Sequence, residues 1–339
     1  MGRRTSREST DALPRIAEAL GAEGVSRVTP IQALWGGYGK LFRAELVGGE
    51  HFSVVVKHIC LPRPGKHPRG WNTDRSHQRK LRSYRVELNW YERYAGVHAG
   101  RPDGACPMPR CLYVERRADE ILLVLEDLAT LGYSRVLEQA NPREIRSCLR
   151  WLAAFHARHL GKSPEGLWKT GTYWHLDTRP DELAALDDAA LKAAAPRVDA
   201  ALKQCPFQTL GHGDAKLANF VFAPGGERVA AVDFQYVGRG CGIKDVMMLL
   251  SSTVPPDDCA RRCPGYLDDY FGELKRAVAE RNLESLDSPV AFEPLEQAWR
   301  AMYPVAWADF QRFLKGWSPG HWKLHAYSEE LTRRVIGEL

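Results

Sequence analysis

One short stretch of the 339-residue chain carries most of the side chains suited to chemistry. Residues 210–245 include Asp214, Lys216, Asn219 and Asp233. Magnesium prefers hard oxygen ligands, usually one or two carboxylates together with phosphates. Asp233 offers a carboxylate and Asn219 a carbonyl oxygen to such an ion, and Asp214 is suited to orient an attacking hydroxyl or to accept its proton. The spacing therefore predicts phosphoryl transfer, with Lys216 neutralising charge on the transferred group.

Two charged residues far upstream fit the same chemistry. Lys57 follows the apolar run 54–56, where a lysine either reaches water or faces an anion. Glu87 shares a predicted helical face with Tyr84 and Tyr91, and a carboxylate among aromatic rings is costly to bury unless it is paired. We therefore predict that Glu87 orients Lys57 and that Lys57 holds the α- and β-phosphates of a nucleotide.

A glycine-dense turn at residues 35–40 contains Gly36, Gly37 and Gly39. Because glycine has no Cβ, its backbone N–H groups can approach a phosphate closely. Glycine also favours ordinary hairpin turns, and the sequence supports the two interpretations equally. The spacing differs from that of a Walker loop.

The N-terminal third of the chain predicts an antiparallel sheet. A helix is expected over residues 10–20. Five runs rich in β-branched and aromatic residues then predict five strands: 28–34, 41–47, 52–59, 110–115 and 121–125. Directly after the last run, Glu126 and Leu128 are predicted to present backbone groups to an adenine edge.

The rest of the chain is predicted to be mainly helical. Asn141 and Glu144 form a capping-box pattern that opens a helix ending near residue 160. An alanine-rich run predicts a helical stretch over residues 181–202, and three further helices are expected beyond a helix at 246–250. The change of pattern after residue 128 predicts two domains, residues 1–128 and 129–339.

The order of the motifs along the chain resembles the protein-kinase-like superfamily. These motifs are the glycine turn, Lys57, Glu87, His212-Gly-Asp214-x4-Asn219 and Asp233-Phe-Gln. His-Gly-Asp, in place of His-Arg-Asp, is similar to the branch that contains aminoglycoside phosphotransferases, choline kinases and ecdysteroid-kinase-like proteins. Glu126-Asp127-Leu128 and residues 152–157 also look like that branch, and the resemblance extends from about residue 31 to residue 251.

The resemblance implies an α+β fold with a bilobal, kinase-like architecture. An N-terminal nucleotide-binding lobe would contain the five-stranded antiparallel sheet with helices, and a larger, mainly helical C-terminal lobe would carry the catalytic and substrate-binding residues. ATP and Mg²⁺ are the implied cofactors. The implied activity is that of a phosphotransferase with an alcohol group as acceptor, which transfers the γ-phosphoryl group directly to a hydroxyl of a small molecule.

Departures from the protein-kinase pattern bear on the substrate. Asp-Phe-Gly and Ala-Pro-Glu are missing, and the run from Asp233 to Asp245 is too short for a phosphorylatable activation loop. These departures disfavour a protein kinase. A protein kinase and a nucleotide-binding pseudokinase that serves as a scaffold remain the alternatives.

Three residues near the motifs are expected to be structural. His212 is predicted to brace the loop that carries Asp214 instead of acting as a base. Asp245 is predicted to anchor that loop or to cap its own helix. His156, on the helix that follows the capping box, is predicted to be a satisfied packing residue.

Composition argues against several other classes of protein. The net charge of +5 is too small to indicate nucleic-acid binding without a concentrated basic face. No apolar run is long enough to span a bilayer. The eight cysteines include no Cys-x-x-Cys pair, which indicates reduced thiols in a cytoplasmic protein. We therefore expect a small-molecule substrate and neither nucleic-acid nor membrane partners.

The charge distribution leaves the class of acceptor open. A basic insertion at residues 61–85 is more typical of a solvated loop and helix start. As a lid, it would attract the nucleotide phosphates or suit an acidic or phosphorylated acceptor. The acidic region 257–297 suits a cationic aminoglycoside instead. The two signals contradict one another.

Aromatic residues near the C-terminus leave the same question open. Four of them recur at helical spacing, which is more typical of a helix core than of a ligand cage: Trp299, Tyr303, Trp307 and Phe310. If part of this stripe, or Trp317 and Trp322, lines a pocket, an apolar polycyclic alcohol or a quaternary amine suits that pocket.

Overall fold

The computed structural model describes residues 4–61, 74–97, 104–284 and 289–339. The chain divides into two compact units. Unit 1 comprises residues 1–82 and 91–134, and unit 2 comprises residues 83–90 and 135–339. The division after residue 134 lies a few residues beyond the predicted one at 128. The helical segment 83–90, expected in the first domain, belongs to unit 2.

Unit 1 is built on an antiparallel sheet. Its elements, with part of α2 belonging to unit 2, are α1 (Arg4–Ala19), β1 (Gly24–Ala33), β2 (Gly39–Val47), β3 (Ser53–Cys60), α2 (Asp74–Arg93), β4 (Cys111–Arg116) and β5 (Glu120–Glu126). The strand order is β1-β2-β3-β5-β4, and every neighbouring pair is antiparallel. The predicted five-stranded antiparallel sheet is confirmed, and the helix expected over 10–20 begins earlier, at Arg4.

One face of this sheet is buried under α1. The alternate residues Phe42, Ala44 and Leu46 of β2 belong to the buried cluster, as expected for a strand whose side chains point to opposite faces in turn. Ala12 and Ile16 of α1, one helical turn apart, pack on the same cluster. The hydrophobic period of the sequence therefore accounts for the layer of helix on sheet.

The basic insertion predicted at residues 61–85 is described only in part. Residues 62–73, which include Arg63, Lys66 and Arg69, lie outside the described residues. From Asp74 onward the chain is the helix α2. Tyr84, Glu87 and Tyr91 are all buried, which confirms the inward face predicted for this helix.

Unit 2 is mainly helical and contains two small groups of strands. Its elements beyond α2 are β6 (Arg135–Val136), α3 (Pro142–His159), α4 (Pro180–Ala184), α5 (Ala189–Gln204), β7 (Thr209–Gly211), β8 (Phe220–Phe222), β9 (Val229–Ala231), β10 (Gly238–Gly240), α6 (Ile243–Thr253), α7 (Cys259–Glu284), α8 (Phe292–Trp317) and α9 (Ala326–Glu338). The predicted α+β class, with a mainly helical second part, is confirmed. None of the described helices is long and apolar enough to cross a membrane.

The stretch predicted to be helical over residues 181–202 forms two helices, α4 and α5, with a short break between them. Asp188 caps the second of them, and its side chain accepts a hydrogen bond from the backbone N–H of Leu191 at 3.1 Å. An aspartate favours such a cap over a place inside a helix, since its carboxylate satisfies a backbone donor that the helix leaves free. The alanine-rich composition of the region masked this signal.

The helices of unit 2 pack around a core that contains both aliphatic and aromatic side chains. The helix α3 begins at the predicted capping box, in which Asn141 accepts from the N–H of Glu144 and the Glu144 carboxylate accepts from the N–H of Asn141. This helix packs along α7, and α8 packs against α5, α6 and α9. The aromatic stripe of α8 is buried, including Trp299 and Trp307, so its residues are helix core, as expected.

Candidate active site

A short hairpin in unit 2 brings the predicted metal ligands together. Strands β8 and β9 pair antiparallel, with Phe220 opposite Ala231. The pairing continues one step further, because the N–H of Val232 donates to the carbonyl oxygen of Asn219 at 3.0 Å. Asp233 follows Val232 directly, so Asn219 and Asp233 lie at the same end of the hairpin.

Among the described residues, only one of the two oxygens of the Asp214 carboxylate has hydrogen-bond partners. Its Oδ2 accepts from Lys216 Nζ at 2.9 Å and from Asn219 Nδ2 at 3.1 Å. Its Oδ1 is buried and has no hydrogen-bond partner among the residues that the structure describes. Burial raises the pKa of Asp214, and the nearby Asp233 carboxylate adds to the rise while Lys216 opposes it. The arrangement leaves one basic oxygen for an outside donor.

The loop at residues 212–219 is anchored by Asp245. Its Oδ2 accepts from the N–H of His212 at 2.5 Å, and its Oδ1 accepts from the N–H of Gly213 at 2.9 Å. Burial alone would raise the pKa of Asp245, but the His156 hydrogen bond and these donors hold it below its usual value. Gly242, not Asp245, is the N-cap of α6. Of the two roles predicted for Asp245, the structure therefore shows the loop anchor.

Two histidines brace the same loop. His212 Nδ1 accepts from the N–H of Asp214 at 3.3 Å, and its Nε2 donates to the carbonyl oxygen of Val232 at 3.0 Å. His156 Nε2 lies 3.2 Å from Asp245 Oδ2, and its Nδ1 lies 2.9 Å from the hydroxyl of Tyr270. Both nitrogens of each ring are thus occupied by protein partners, in agreement with the structural roles predicted for both histidines.

Asp233 is held in an unusual backbone conformation. Its φ is 69°, in the left-handed region that residues other than glycine seldom occupy, although aspartate tolerates it better than most. Its Oδ1 accepts from Gln235 Nε2 at 2.7 Å, and the hydroxyl of Ser83 donates to Gln235 Oε1 at 3.1 Å. This chain of bonds orients the carboxylate of Asp233.

The residues present fit a magnesium ion. The amide nitrogen of Asn219 makes two bonds to Asp214, so its carbonyl oxygen is the atom that could bind a metal ion together with Asp233. In the described part of the chain no three His, Cys, Asp or Glu side chains cluster in a way that could hold a metal alone. An ion here would draw its other ligands from phosphates and water, which is the usual way in which proteins bind magnesium.

Comparison with known families identifies the class of protein. The sequence model of the phosphotransferase enzyme family matches residues 42–284, which is most of the chain and includes the whole hairpin site. The chain belongs to this family. No curated protein matches the sequence.

Solved structures similar to this phosphotransferase include several kinases of small molecules. The aminoglycoside phosphotransferase APH(4)-Ia, in a ternary complex with ADP and hygromycin B, is 13% identical, with 96% of this chain and 98% of that chain covered and a TM-score of 0.48. A microcompartment-associated aminopropanol kinase is 16% identical, with 96% and 93% covered and a TM-score of 0.46. The choline kinase LicA from Streptococcus pneumoniae is 14% identical, with 98% of both chains covered and a TM-score of 0.41.

Steric crowding explains why the middle residue of His-Gly-Asp is a glycine in this phosphotransferase. Gly213 has a φ of +79°, and a Cβ added to it would lie 2.0 Å from the carbonyl oxygen of Tyr236 and 2.9 Å from the backbone nitrogen of Thr172. An arginine, which protein kinases carry here, has no room for even its first side-chain atom. The neighbouring backbone therefore requires glycine at position 213 of this chain.

Gly213→Ala is expected to destabilise the protein by at least about 2 kcal/mol, because the methyl group adds a backbone clash to the cost of a left-handed alanine. Chemical denaturation measures the change. Gly161→Ala is the matched control, since Gly161 has a φ of +78° and nothing within 4 Å of the added Cβ. Equal losses for the two variants would contradict the steric argument.

In unit 1 the glycine-dense turn is a tight connection between β1 and β2. The N–H of Leu34 donates to Gly39 O at 2.8 Å, and the N–H of Gly37 donates to Leu34 O at 3.1 Å. Gly36 and Gly37 have positive φ, and a Cβ on Gly39 would lie 2.0 Å from His58 O. The hairpin interpretation accounts for these glycines, and their contact with phosphate stays a prediction.

The backbone groups predicted to meet adenine are partly occupied within unit 1. The N–H of Glu126 donates to Arg110 O, and the carbonyl oxygen of Leu128 accepts from the N–H of Tyr133, both at 2.9 Å. The carboxylate of Glu126 is bound by the Arg110 side chain. The N–H of Leu128 is then the better candidate for a nucleotide contact, which stays a prediction.

Lys57 and Glu87 are both buried, as predicted. Lys57 lies in β3 of unit 1, opposite Leu123 of β5, and Glu87 lies in the part of α2 that belongs to unit 2. Their pairing stays a prediction.

Two residues close to Asp214 were missed by sequence reasoning. Burial and the Asp214 carboxylate raise the pKa of Tyr173, and Asp214 also acts on the buried amine of Lys323. Neither residue belongs to a recognisable motif. Trp317 and Trp322, near Lys323 in the sequence, hinted at a pocket, and Tyr173 had no such signal.

A cavity of about 240 Å³ also lies in unit 2. Its lining includes Lys169, Lys203, Arg239 and Lys244, and no residue of the 212–219 loop contributes to it. The residues predicted to perform chemistry therefore do not line this cavity.

Proposed function

We propose that this phosphotransferase is an ATP- and Mg²⁺-dependent kinase that transfers the γ-phosphoryl group to a hydroxyl of a small molecule. One observation carries the proposal. Asp214 Oδ2 is held by Lys216 and Asn219, while the buried Oδ1 has no hydrogen-bond partner among the described residues. A buried acceptor without a donor is unfavourable, and an alcohol hydroxyl supplies the donor that is missing.

The proposed reaction is direct, in-line transfer. The acceptor hydroxyl donates to Asp214 Oδ1, which turns its oxygen toward the γ-phosphorus. As the new P–O bond forms and the bond from phosphorus to the bridging oxygen of ADP breaks, the hydroxyl proton passes to Asp214. Its raised pKa favours that transfer, and the ammonium of Lys216 stabilises negative charge beside it.

Magnesium and nucleotide have proposed ligands as well. Bound by Asn219 and Asp233, Mg²⁺ supplies positive charge to the phosphates. The proposed nucleotide-binding residues are those predicted from the sequence: Gly36, Gly37, Gly39, Lys57, Glu87, Glu126 and Leu128.

A transfer assay tests the proposal. The purified protein is incubated with Mg²⁺ and ATP labelled on the γ-phosphate, in one arm with a mixture of alcohols, amino sugars and steroids and in the other with mixed proteins. We expect label on a small organic molecule, and only when Mg²⁺ is present. Label confined to proteins would indicate a protein kinase, and nucleotide binding without transfer to any acceptor would indicate a scaffold.

A further inference from the structure

Lys323 is a buried amine that the mechanism above does not use. Its residue is 8% exposed, and its Nζ donates to Ser251 Oγ at 3.1 Å. The same nitrogen lies 5.5 Å from the ring centre of Phe310 and 5.4 Å from that of Trp322. Aromatic faces attract a cation, but they do not neutralise its charge.

No carboxylate within the described part of the chain forms an ion pair with Lys323. The other buried cations described in unit 2 each have one: Arg179–Glu182, Lys244–Asp309 and Arg312–Asp309. Burying an ammonium without a counter-charge is unfavourable, and burial lowers the pKa of Lys323 to about 8. An anion that reached Nζ would remove this penalty.

Lys323 lies close to the 212–219 loop. It binds Ser251, and the hydroxyl of the next residue, Ser252, accepts from the N–H of Leu217 in that loop at 3.0 Å. After burial, the groups that act on the pKa of Lys323 are Asp214, which raises it, and Lys216, which lowers it. The amine is therefore within electrostatic reach of the carboxylate to which the acceptor hydroxyl is proposed to bind.

Aromatic rings lead from Lys323 to the surface. Trp322 is 56% exposed and stacks on His321 with 5.8 Å between ring centres. His321 lies 6.1 Å from Trp317, which is 38% exposed. Large exposed aromatic side chains beside a buried polar group are typical of a binding surface for a planar or apolar ligand.

We propose that Lys323 binds an acidic group of the acceptor, so that the acceptor is an alcohol that also carries a carboxylate or a phosphate. The inference rests on the proposed kinase activity. It makes Lys323 a residue of acceptor specificity, with the apolar part of the acceptor packed on Trp322. The inference also favours an acidic acceptor over a cationic one, a question that the basic region 61–85 and the acidic region 257–297 of the sequence left open.

Four acceptors that share an aromatic ring and a primary alcohol test this inference, because their second substituent differs in charge. The acidic ones are 4-(hydroxymethyl)benzoate and 4-(hydroxymethyl)phenyl phosphate. The cationic one is 4-(hydroxymethyl)benzylamine, and the neutral one is 4-methylbenzyl alcohol. Transfer of label from ATP is measured for the wild type, Lys323→Met and Lys323→Arg.

We expect one or both acidic acceptors to have the highest kcat/KM, and Lys323→Met to lower that value by about tenfold or more, mainly through KM. Lys323→Arg should restore part of the loss, and Lys323→Met should lower kcat/KM for the neutral 4-methylbenzyl alcohol much less than for the acidic acceptors. A preference for the amine, or an equal loss for all four acceptors, would overturn the inference and leave the kinase activity standing. Absence of any ATP-dependent transfer would instead count against the proposed function.

Anion binding to Lys323 can also be measured without turnover, in case none of the four acceptors fits the site. In protein labelled with ¹³C at lysine Cε, the NMR signal of the Lys323 ε-carbon reports the pKa of the amine. This signal is assigned by its absence from the spectrum of Lys323→Met. Benzoate or inorganic phosphate should raise that pKa, because an anion stabilises the ammonium. If neither ion shifts it, the amine is a packing residue and the inference is wrong.

Discussion

Asp214→Asn should lower kcat for phosphoryl transfer by about 10²–10⁴-fold, because an amide cannot take the proton of the acceptor hydroxyl. The substitution keeps the size of the side chain, and one oxygen remains to accept from Lys216 or Asn219. Steady-state kinetics with the best acceptor measure the loss. Nucleotide affinity, measured by titration, should change little.

Asp187→Asn is the control for this variant, since it makes the same chemical change at an exposed position. Its kcat should equal that of the wild type. The wild-type pH profile gives an independent check. Burial raises the pKa of Asp214, so activity should fall with decreasing pH already above the usual range of an aspartate. Near-normal kcat in Asp214→Asn would refute the role of this carboxylate.

Asp245→Asn should destabilise the protein by about 3 kcal/mol or more, because it removes a buried, charged acceptor of several hydrogen bonds. Two backbone N–H groups and the ring of His156 point at this carboxylate, and an amide would place a donor against a donor. Urea unfolding measures the free-energy change. Asp257→Asn, at an exposed position, should leave stability unchanged.

The stability contributed by Asp245 should depend on pH. Its pKa in the folded protein lies below the usual value, so its contribution to stability is complete above the unfolded pKa of about 4 and is lost as pH falls through the folded pKa. The difference between wild type and Asp245→Asn should therefore stay constant from neutral pH to about pH 4 and shrink below it. A difference that shrank already near neutral pH would show that the carboxylate is not held in its charged form.

Local patterns along the chain were sufficient to predict much of the fold. Runs rich in β-branched and aromatic residues predicted the five strands of unit 1, and Asn141 and Glu144 make both bonds of their capping box. Both signals act over a few residues, which is why they can be recognised in the sequence. The two-helix arrangement of α4 and α5 was missed, because the cap at Asp188 competed with a strong run of helix-forming alanines.

In the candidate site too, short-range features could be predicted from the sequence, and contacts between residues distant in sequence could not. The order of Asp214, Asn219 and Asp233, with a hairpin between the last two, was enough to predict which side chains would meet. The need for glycine at position 213 depended on Tyr236 and Thr172, which lie elsewhere in the sequence.

The sequence by itself determined which residues can perform chemistry in this phosphotransferase, because residue type and short-range spacing set the reactive groups and the hairpin that joins them. The tertiary structure decided how those groups are supported. The anchor at Asp245, the brace at His156 and the buried amine of Lys323 all depend on residues distant in sequence. Burial and the presence of a counter-charge are properties of the packed chain, and they decide whether a carboxylate is an anchor or a base and whether a lysine is solvated or binds an anion.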